Sequence, residues 1–137
     1  MEICRNDRGR YRTILRVGAR LTHEDVLVVR AGGEVERIDT LDLGLPVGLE
    51  SDISPFIDTY DIKFGTGDVI VLHTDGVTEA EDQNKRLFGF ERLSQSVQRL
   101  HGSSAEEIKT GIIDDLMAHI GIQKIHDDIT LVIIRHT

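Results

Sequence analysis

The sequence predicts an α+β fold in which a mainly antiparallel sheet is covered by one antiparallel pair of helices. Short runs of β-branched and aromatic residues, separated by glycine-containing turns, recur through residues 11–74 and are typical of antiparallel strands. Two amphipathic helix patterns follow, and a last β-branched run closes the chain. At 137 residues, the chain is long enough to form one domain with its own hydrophobic core.

The first part of the chain is expected to form a strand and a hairpin. The strand covers residues 11–17, whereas residues 1–10 are too polar and charged to predict as ordered. Residues 26–30 and 34–38 are strand-forming runs, and the intervening residues 31–33 are Ala-Gly-Gly. Because glycine adopts the positive φ angles that a tight reversal needs, this pattern predicts a β-hairpin.

The middle of the chain predicts a loop and two further strands. Residues 44–49 combine two glycines with a proline, which is typical of a loop. Apolar residues at positions 60, 62 and 64 alternate with charged residues at 61 and 63, which is the pattern of a half-buried strand. After a turn at Thr66 and Gly67, the strand expected over residues 68–74 is apolar on both faces, so we place it centrally in the sheet.

Two helices are expected next. The first has an apolar stripe of Phe90, Leu93, Val97 and Leu100 and ends near Gly102. The second begins with a capping box, for which two registers fit: Ser103 with Glu106, or Ser104 with Glu107. Its stripe consists of Ile108, Ile112, Leu116 and Ile120, and Gly121 is placed to end it. The short turn between the helices predicts an antiparallel pair on one face of the sheet, followed by a last strand over residues 129–135.

Composition narrows the classes of partner. The 24 acidic and 16 basic residues give a formal net charge of -8, which argues against nucleic acid or anionic lipid. No apolar run reaches the roughly 18 residues that a membrane-spanning helix needs. The single cysteine, Cys4, excludes an intrachain disulfide. Because the first ten residues are polar, no signal peptide is predicted, and the expected location is cytoplasmic.

Two acidic motifs stand where strand-forming runs meet loops. His73-Thr74-Asp75-Gly76 ends the central strand, and Asp127-Asp128-Ile129-Thr130 leads into the last one. If the two strands are neighbours, their carboxylates form a hard-oxygen site suited to Mg²⁺ or Mn²⁺. Each motif alone also fits a simpler interpretation, because Asp and Gly are favoured in turns. Glu79, Glu81 and Asp82 lack the spacing of a calcium loop, so we interpret them as solvated charge.

The order of these motifs resembles a known family. The string from Gly67 to Ala80, then Leu87-Phe88-Gly89 and Glu91-Arg92-Leu93, then residues 127–131, resembles the C-terminal half of the PPM (type 2C) protein phosphatases, and in particular their SpoIIE/RsbU branch. The resemblance is strongest over residues 34–135. It implies a partial α-β-β-α sandwich and a metal-dependent phosphatase of phosphoserine or phosphothreonine proteins, which regulates a signalling or sigma-factor partner-switch pathway.

The resemblance also implies roles for individual residues. Asp75 and Asp127 are the expected catalytic residues and ligands of Mn²⁺ or Mg²⁺, in what is a two-metal site in the family. Gly76 would let the backbone approach the cofactor site, and Asp128 would support it. His73 and His126, which lie beside these ligands, are expected to pack rather than to bind metal.

One family feature is absent from the sequence. Family members carry an earlier Gly-Asp motif followed by Gly-His-Gly, whose aspartate bridges the two metals. Here the only Gly-Asp is Gly67-Asp68, and there is no Gly-His-Gly. We therefore interpret residues 1–137 as a single, truncated phosphatase domain with little activity of its own. The alternative is a catalytically inactive half-domain that acts as a protein-binding or regulatory module.

The expected sheet raises the question of what covers its second face. The helix pair covers only one side, while the central and last strands are apolar on both. An exposed apolar face of several hundred Å² is rare in monomers. We therefore expect a two-fold homodimer that buries this face.

Overall fold

The computed structural model describes residues 2–5, 11–18, 25–39, 59–124 and 127–137. The predicted loop at 44–49, and His126, lie outside the described residues. The strands are β1 (Glu2–Arg5), β2 (Tyr11–Gly18), β3 (Val26–Val29), β4 (Val35–Ile38), β5 (Thr59–Phe64), β6 (Val69–His73) and β7 (Leu131–Arg135). The helices are α1 (Asp75–Thr78), α2 (Gly89–Leu100) and α3 (Ala105–Ile120).

The strands form two antiparallel sheets, which confirms the predicted α+β class. The first has the order β1-β2-β5 and the second the order β4-β3-β6-β7. Strand β6 pairs with β3 on one edge and with β7 on the other, so the prediction of a central strand is confirmed. The hairpin of β3 and β4 is also confirmed, with Val29 opposite Val35 at its closed end.

The helices occur where the apolar stripes predict them. Of the two capping boxes, the one at Ser104 forms: its hydroxyl accepts a hydrogen bond from the Glu107 N–H at 3.2 Å, and its own N–H donates to the Glu107 carboxylate at 2.8 Å. These bonds lower the pKa of Glu107. At the other end, the Gly121 N–H donates to the Met117 carbonyl at 2.9 Å. Among the described residues, no helix has both the length and the apolarity to cross a membrane.

The first hydrophobic core lies between the helix pair and the four-stranded sheet. Leu93 of α2 and Ile112 of α3 are fully buried against Val71 of β6. The other apolar residues of the helix stripes pack around them, and of these Phe90 and Leu100 are only partly buried. At ~25 cal/mol per Å² of buried apolar surface, this layer supplies the largest share of the hydrophobic stabilisation of α2 and α3. Because successive side chains of a strand point to opposite faces of the sheet, the other side chains of β6 lie on the face away from the helices.

A second hydrophobic core lies on that opposite face of the sheet. It corrects the expectation that this face has no cover within the chain. Ile62 and Phe64 of β5 pack against Val28 and Ile70, and all four are buried. The face of β6 that was expected to stand bare is therefore covered, at Ile70, by β5 of this same chain. The sequence interpretation missed this because the period-2 pattern of β5 identifies a buried side without identifying what that side packs against.

The prediction that residues 1–10 are not ordered is wrong for residues 2–5. Strand β1 pairs with β2, and Glu2 lies opposite Ile14 and Arg5 opposite Tyr11. The physical reason is that an edge strand is held by the backbone hydrogen bonds of its neighbour, which local composition does not reveal. Helix α1 was not predicted either, because at four residues it is too short to produce a periodic pattern.

An ionic anchor joins the hairpin to the start of β6. The buried carboxylate of Asp68 accepts hydrogen bonds from the Gly65 N–H (2.9 Å), the Ala31 N–H (3.0 Å) and the Arg30 guanidinium (2.8 Å). Arg30 also binds the half-exposed carboxylate of Glu36 at 2.6 Å. Burial by itself raises the pKa of Asp68, but the three donors outweigh it and hold the pKa below its usual value.

We predict that Asp68→Asn lowers the free energy of unfolding by about 2 kcal/mol, because the amide leaves partly buried donors without an acceptor. The control is Glu36→Gln, which alters the exposed side of the same cluster and should cost under about 1 kcal/mol. Urea denaturation at neutral pH measures both. Equal losses in the two variants would show that Asp68 is not the anchor.

The same anchor predicts a pH dependence. Because the pKa of Asp68 is lower in the folded than in the unfolded chain, its stabilisation is fully present above the unfolded value of about 3.9. It is lost as pH falls through the lower folded-state pKa. The difference in stability between the parent and Asp68→Asn should therefore shrink in strong acid.

Candidate functional site

The pairing of β6 with β7 brings the two acidic motifs together. His73 at the end of β6 lies opposite Leu131 at the start of β7. One residue further on, the Thr74 N–H donates to the Thr130 carbonyl at 3.2 Å. The loop after β6 and the loop before β7 therefore lie side by side at the same end of the sheet. A site shared by the two acidic motifs needs this arrangement.

Thr74 ties the two loops to each other through its side chain. Its hydroxyl donates to the Asp128 carbonyl at 3.1 Å. The same oxygen accepts a hydrogen bond from the Thr130 N–H, also at 3.1 Å. One side chain thus bonds the backbone on both sides of Ile129, which keeps the Asp127-Asp128 loop beside Asp75.

Gly76 makes the closest contact between the motifs. A Cβ atom at this buried position would lie 2.3 Å from the Asp128 carbonyl oxygen and 2.9 Å from its carbonyl carbon. Both are backbone atoms, so a side chain could be accommodated only if the loops moved apart. Glycine is therefore required here for the approach of one backbone to another.

The two carboxylates themselves are exposed and locally oriented. Asp75 is the first residue of α1, and its Oδ1 accepts a hydrogen bond from the Gly76 N–H at 2.9 Å. Asp127 Oδ1 accepts from the Asp128 N–H at 2.8 Å. Neither carboxylate forms a salt bridge with another residue in the described part of the chain. Both therefore keep oxygen lone pairs directed to solvent, which a hard cation can use.

A cavity of about 350 Å³ lies beside this loop pair. It is lined by Gly76, Glu79, Ala80, Glu81, Ile120, Lys124 and Asp127. Asp127 therefore faces the cavity, whereas Asp75 and Asp128 are not part of its lining. None of these lining side chains is a serine, threonine or cysteine.

The acidic stretch after α1 lies beside the cavity. Glu79 and Glu81 line the cavity with Asp127, so the site contains carboxylates that the sequence interpretation set aside. Asp82 instead holds a turn, in which its Oδ1 accepts from the Asn84 N–H at 2.7 Å and the Arg86 N–H at 2.9 Å. The bond from Arg86 is the main cause of a lowered pKa at Asp82.

His73 is buried, with 2% of its surface exposed. Its Nδ1 lies 3.3 Å from the Thr74 carbonyl oxygen, and its Nε2 has no hydrogen-bond partner among the residues that the structure describes. This placement is that of a packed strand residue.

Binding of a divalent ion depends on the ligand atoms that the residues of the two loops supply. The carboxylates of Asp75 and Asp127 have the chemistry that Mg²⁺ or Mn²⁺ binds. No group of three His, Cys, Asp or Glu side chains in the described residues is arranged to hold a metal ion. An ion held by Asp75 and Asp127 would therefore take most of its ligands from water, which is how Mg²⁺ is commonly bound.

We predict that Gly76→Ala separates the two loops and destabilises the protein by about 1–3 kcal/mol, the usual cost of overpacking. The matched control is Gly102→Ala, since a Cβ at Gly102 meets no atom within 4 Å. Thermal unfolding measures both, and amide exchange at Thr74 and Thr130 reports on the loops. A Gly76→Ala variant as stable as Gly102→Ala would contradict the close contact.

The sequence of this chain is similar to that of a known protein family and of two named proteins. The model of the family described as Stage II sporulation protein E (SpoIIE) matches residues 16–137. Phosphoserine phosphatase RsbU of Bacillus subtilis (strain 168) is 36% identical over 94 residues, which cover 67% of this chain and 26% of RsbU. Protein IcfG of Synechocystis sp. is 31% identical over 110 residues, which cover 80% of this chain and 17% of IcfG. The chain thus spans about a quarter or less of these relatives.

Solved structures show the same fold. The SiaA-PP2C domain of Pseudomonas aeruginosa has a TM-score of 0.65 at 19% identity, over 85% of this chain and 44% of that one. The PP2C phosphatase domain of SpoIIE from Bacillus subtilis, solved with a fragment of its regulatory domain, has a TM-score of 0.69 at 15% identity, over 95% and 39%. With most of its residues matched by the family and its fold shared with these domains, the chain belongs to the SpoIIE family of PPM-type phosphatases.

Proposed function

We propose that this chain carries part of the active site of a metal-dependent phosphatase acting on phosphoserine or phosphothreonine in a regulatory protein. The observation that carries the proposal is the contact between the Asp75 and Asp127 loops, which Thr74 clamps and Gly76 permits. The relative RsbU is a phosphoserine phosphatase, which supports the substrate class. A role in a signalling or sigma-factor partner switch is part of the same proposal.

The roles of the residues follow from their placement. Asp75 and Asp127 would hold Mn²⁺ or Mg²⁺, and Asp128 would support the loop through its backbone bonds to Thr74 and Asp127. A bound divalent ion supplies Lewis-acid activation of water and screens the charge of the phosphoryl group. Glu79 and Glu81 place further hydrogen-bond acceptors for water on the cavity wall. Activation of water by a bound ion makes direct hydrolysis, without a covalent phosphoenzyme, part of this proposal.

A second candidate is a regulatory or protein-binding half-domain without turnover. The observation that favours it concerns Asp68, the aspartate of the only Gly-Asp pair in the sequence. Its carboxylate is occupied by Arg30, Gly65 and Ala31. It also precedes β6, whereas Asp75 follows that strand. Asp68 therefore cannot replace the bridging aspartate that the family places in its first half.

We predict that the chain binds Mn²⁺ weakly and that Asp75→Asn and Asp127→Asn each weaken binding by roughly tenfold, or about 1.4 kcal/mol. Each substitution removes one of the few charged ligands of the ion. Isothermal calorimetry measures the affinity. Asp114→Asn is the control, because Asp114 is an exposed acid on α3. Unchanged affinity in both site variants would remove the proposed metal site.

The same proteins test whether the chain turns over a phosphate ester by itself. We expect little or no hydrolysis of a small aryl phosphate in the presence of Mn²⁺, since a single pair of ligands cannot hold the two-metal site of the family. Mn²⁺-dependent turnover that Asp75→Asn abolishes would overturn the half-domain alternative. It would also show that another carboxylate, such as Glu79, completes the site.

Self-association remains a proposal, although β5 covers the face that first motivated it. Apolar surface that is still partly exposed includes Val132 of β7 (46%) and Ile113 and Met117 of α3 (39% and 45%). We predict a two-fold dimer that buries part of this surface. Light scattering at micromolar concentration should give twice the chain mass of 15.3 kDa. A mass equal to one chain would contradict the dimer.

A further inference from the structure

A second concave surface lies on the outer side of the helix pair. It is a groove of about 540 Å³ whose wall includes Phe88, Arg92, Ser96, Arg99, Asp115 and His119. Through Phe88, Arg92 and Gln95 it continues into a second depression of about 570 Å³ beside Leu87. The groove shares no lining residue with the cavity at Asp127, so the proposed phosphatase site does not account for it.

The floor of the groove is apolar. The ring of Phe88 is 3% exposed and meets the His119 ring edge-on, with centroids 5.5 Å apart. His119 is fixed in turn, because its Nε2 lies 2.9 Å from the Arg86 carbonyl oxygen. At the outer end, Leu87 leaves 53% of its surface exposed. An apolar side chain of a partner would therefore find its contact on Leu87.

The wall of the groove carries more hydrogen-bond donors than acceptors. Asp115 Oδ2 already accepts bonds from the Ser96 hydroxyl and from Arg99, both at 2.5 Å. Arg92 contacts the Nδ1 of His119 at 3.3 Å and, among the described residues, no carboxylate. A guanidinium has five N–H donors, so Arg92 and Arg99 together leave most of their donors unused.

The unused donors of Arg92 and Arg99 contrast with the acidic character of the chain as a whole. The formal net charge is -8, so the protein as a whole repels polyanions such as nucleic acid. A short acidic segment can bind only where basic side chains lie next to it. Arg92 and Arg99 are two helical turns apart on α2, a spacing that suits two carboxylates on one peptide segment. Glu91 borders the depression near Leu87 and favours an uncharged side chain at that end.

We propose that the groove formed by Phe88, Arg92, Arg99 and His119 docks an acidic peptide segment of a protein partner. Carboxylates of that segment pair with Arg92 and Arg99, since guanidinium and carboxylate match in bidentate geometry. An apolar side chain of the same segment packs on the exposed Leu87. This docking is independent of the phosphatase proposal, because it uses none of the residues at the Asp75 and Asp127 loops.

The test is fluorescence anisotropy of the full chain with labelled peptides of about 12 residues, enough to span the groove at 1.5 Å per residue if helical. The probe alternates pairs of Glu and Leu, and two matched peptides replace Glu by Gln or Leu by Ser. We expect the Glu/Leu peptide to bind more tightly than either, and to weaken as salt rises to physiological strength. Arg92→Gln should weaken it by roughly tenfold, or about 1.4 kcal/mol.

The control for charge is Lys109→Gln, which removes a cation from α3 that pairs with Glu106 and does not line the groove. It should leave peptide binding unchanged. Circular dichroism checks the folding of each variant. Should Arg92→Gln fail to fold, Gln95→Glu serves instead, because it adds a negative charge to the groove wall at an exposed position and should weaken binding comparably.

Three results would overturn the proposal. Equal binding of the Glu and Gln peptides would show that the arginines do not select acidic groups. Unchanged affinity in folded Arg92→Gln or Gln95→Glu, or an equal loss in Lys109→Gln, would place the binding elsewhere. Complete displacement of the peptide by millimolar inorganic phosphate would identify a simple anion site rather than a docking groove.

Discussion

Strand β6 is hydrogen-bonded on both edges and buried on both faces, and these constraints position the rest of the molecule. One face packs against the helix pair and the other against β5. A shift of one residue in its pairing would exchange the side chains on these faces, so the fit of each face to the layer packed on it helps to fix the register. The register in turn sets His73 opposite Leu131. Core packing therefore brings the two acidic loops together, and no attraction between their side chains is needed.

The elements predicted correctly from the sequence are those with local signals. The apolar stripes of α2 and α3 and the Ser104 capping box each occupy one continuous stretch, and the structure confirms them. The order of β6, helix pair and β7 likewise follows from patterns within each segment. The presence of two motifs at strand ends could be predicted, and so could the family. The bonds by which Thr74 joins the loops could not, because they link residues that are remote in sequence.

The features that were missed depend on distant partners. Strand β1 owes its order to β2, and the face of β6 is covered by β5. The carboxylate of Asp68 has donors on two separate turns, at Ala31 and Gly65. Glu79 and Glu81 read as surface charge until the fold places them beside Asp127. In each instance the residue type was visible in the sequence, and what it contacts was decided by tertiary packing.

The antiparallel turn between α2 and α3 has a consequence for how the protein can be divided. Gly102 lies at this exposed turn, between the segment that carries Asp75 and the segment that carries Asp127. The two segments are joined by the β6–β7 ladder and by the helix contact rather than by the peptide bond at that turn. Cleavage there would leave two polypeptides with complementary edges. The fold is thus suited to a split reporter, in which reassembly of two fragments restores the neighbouring loops.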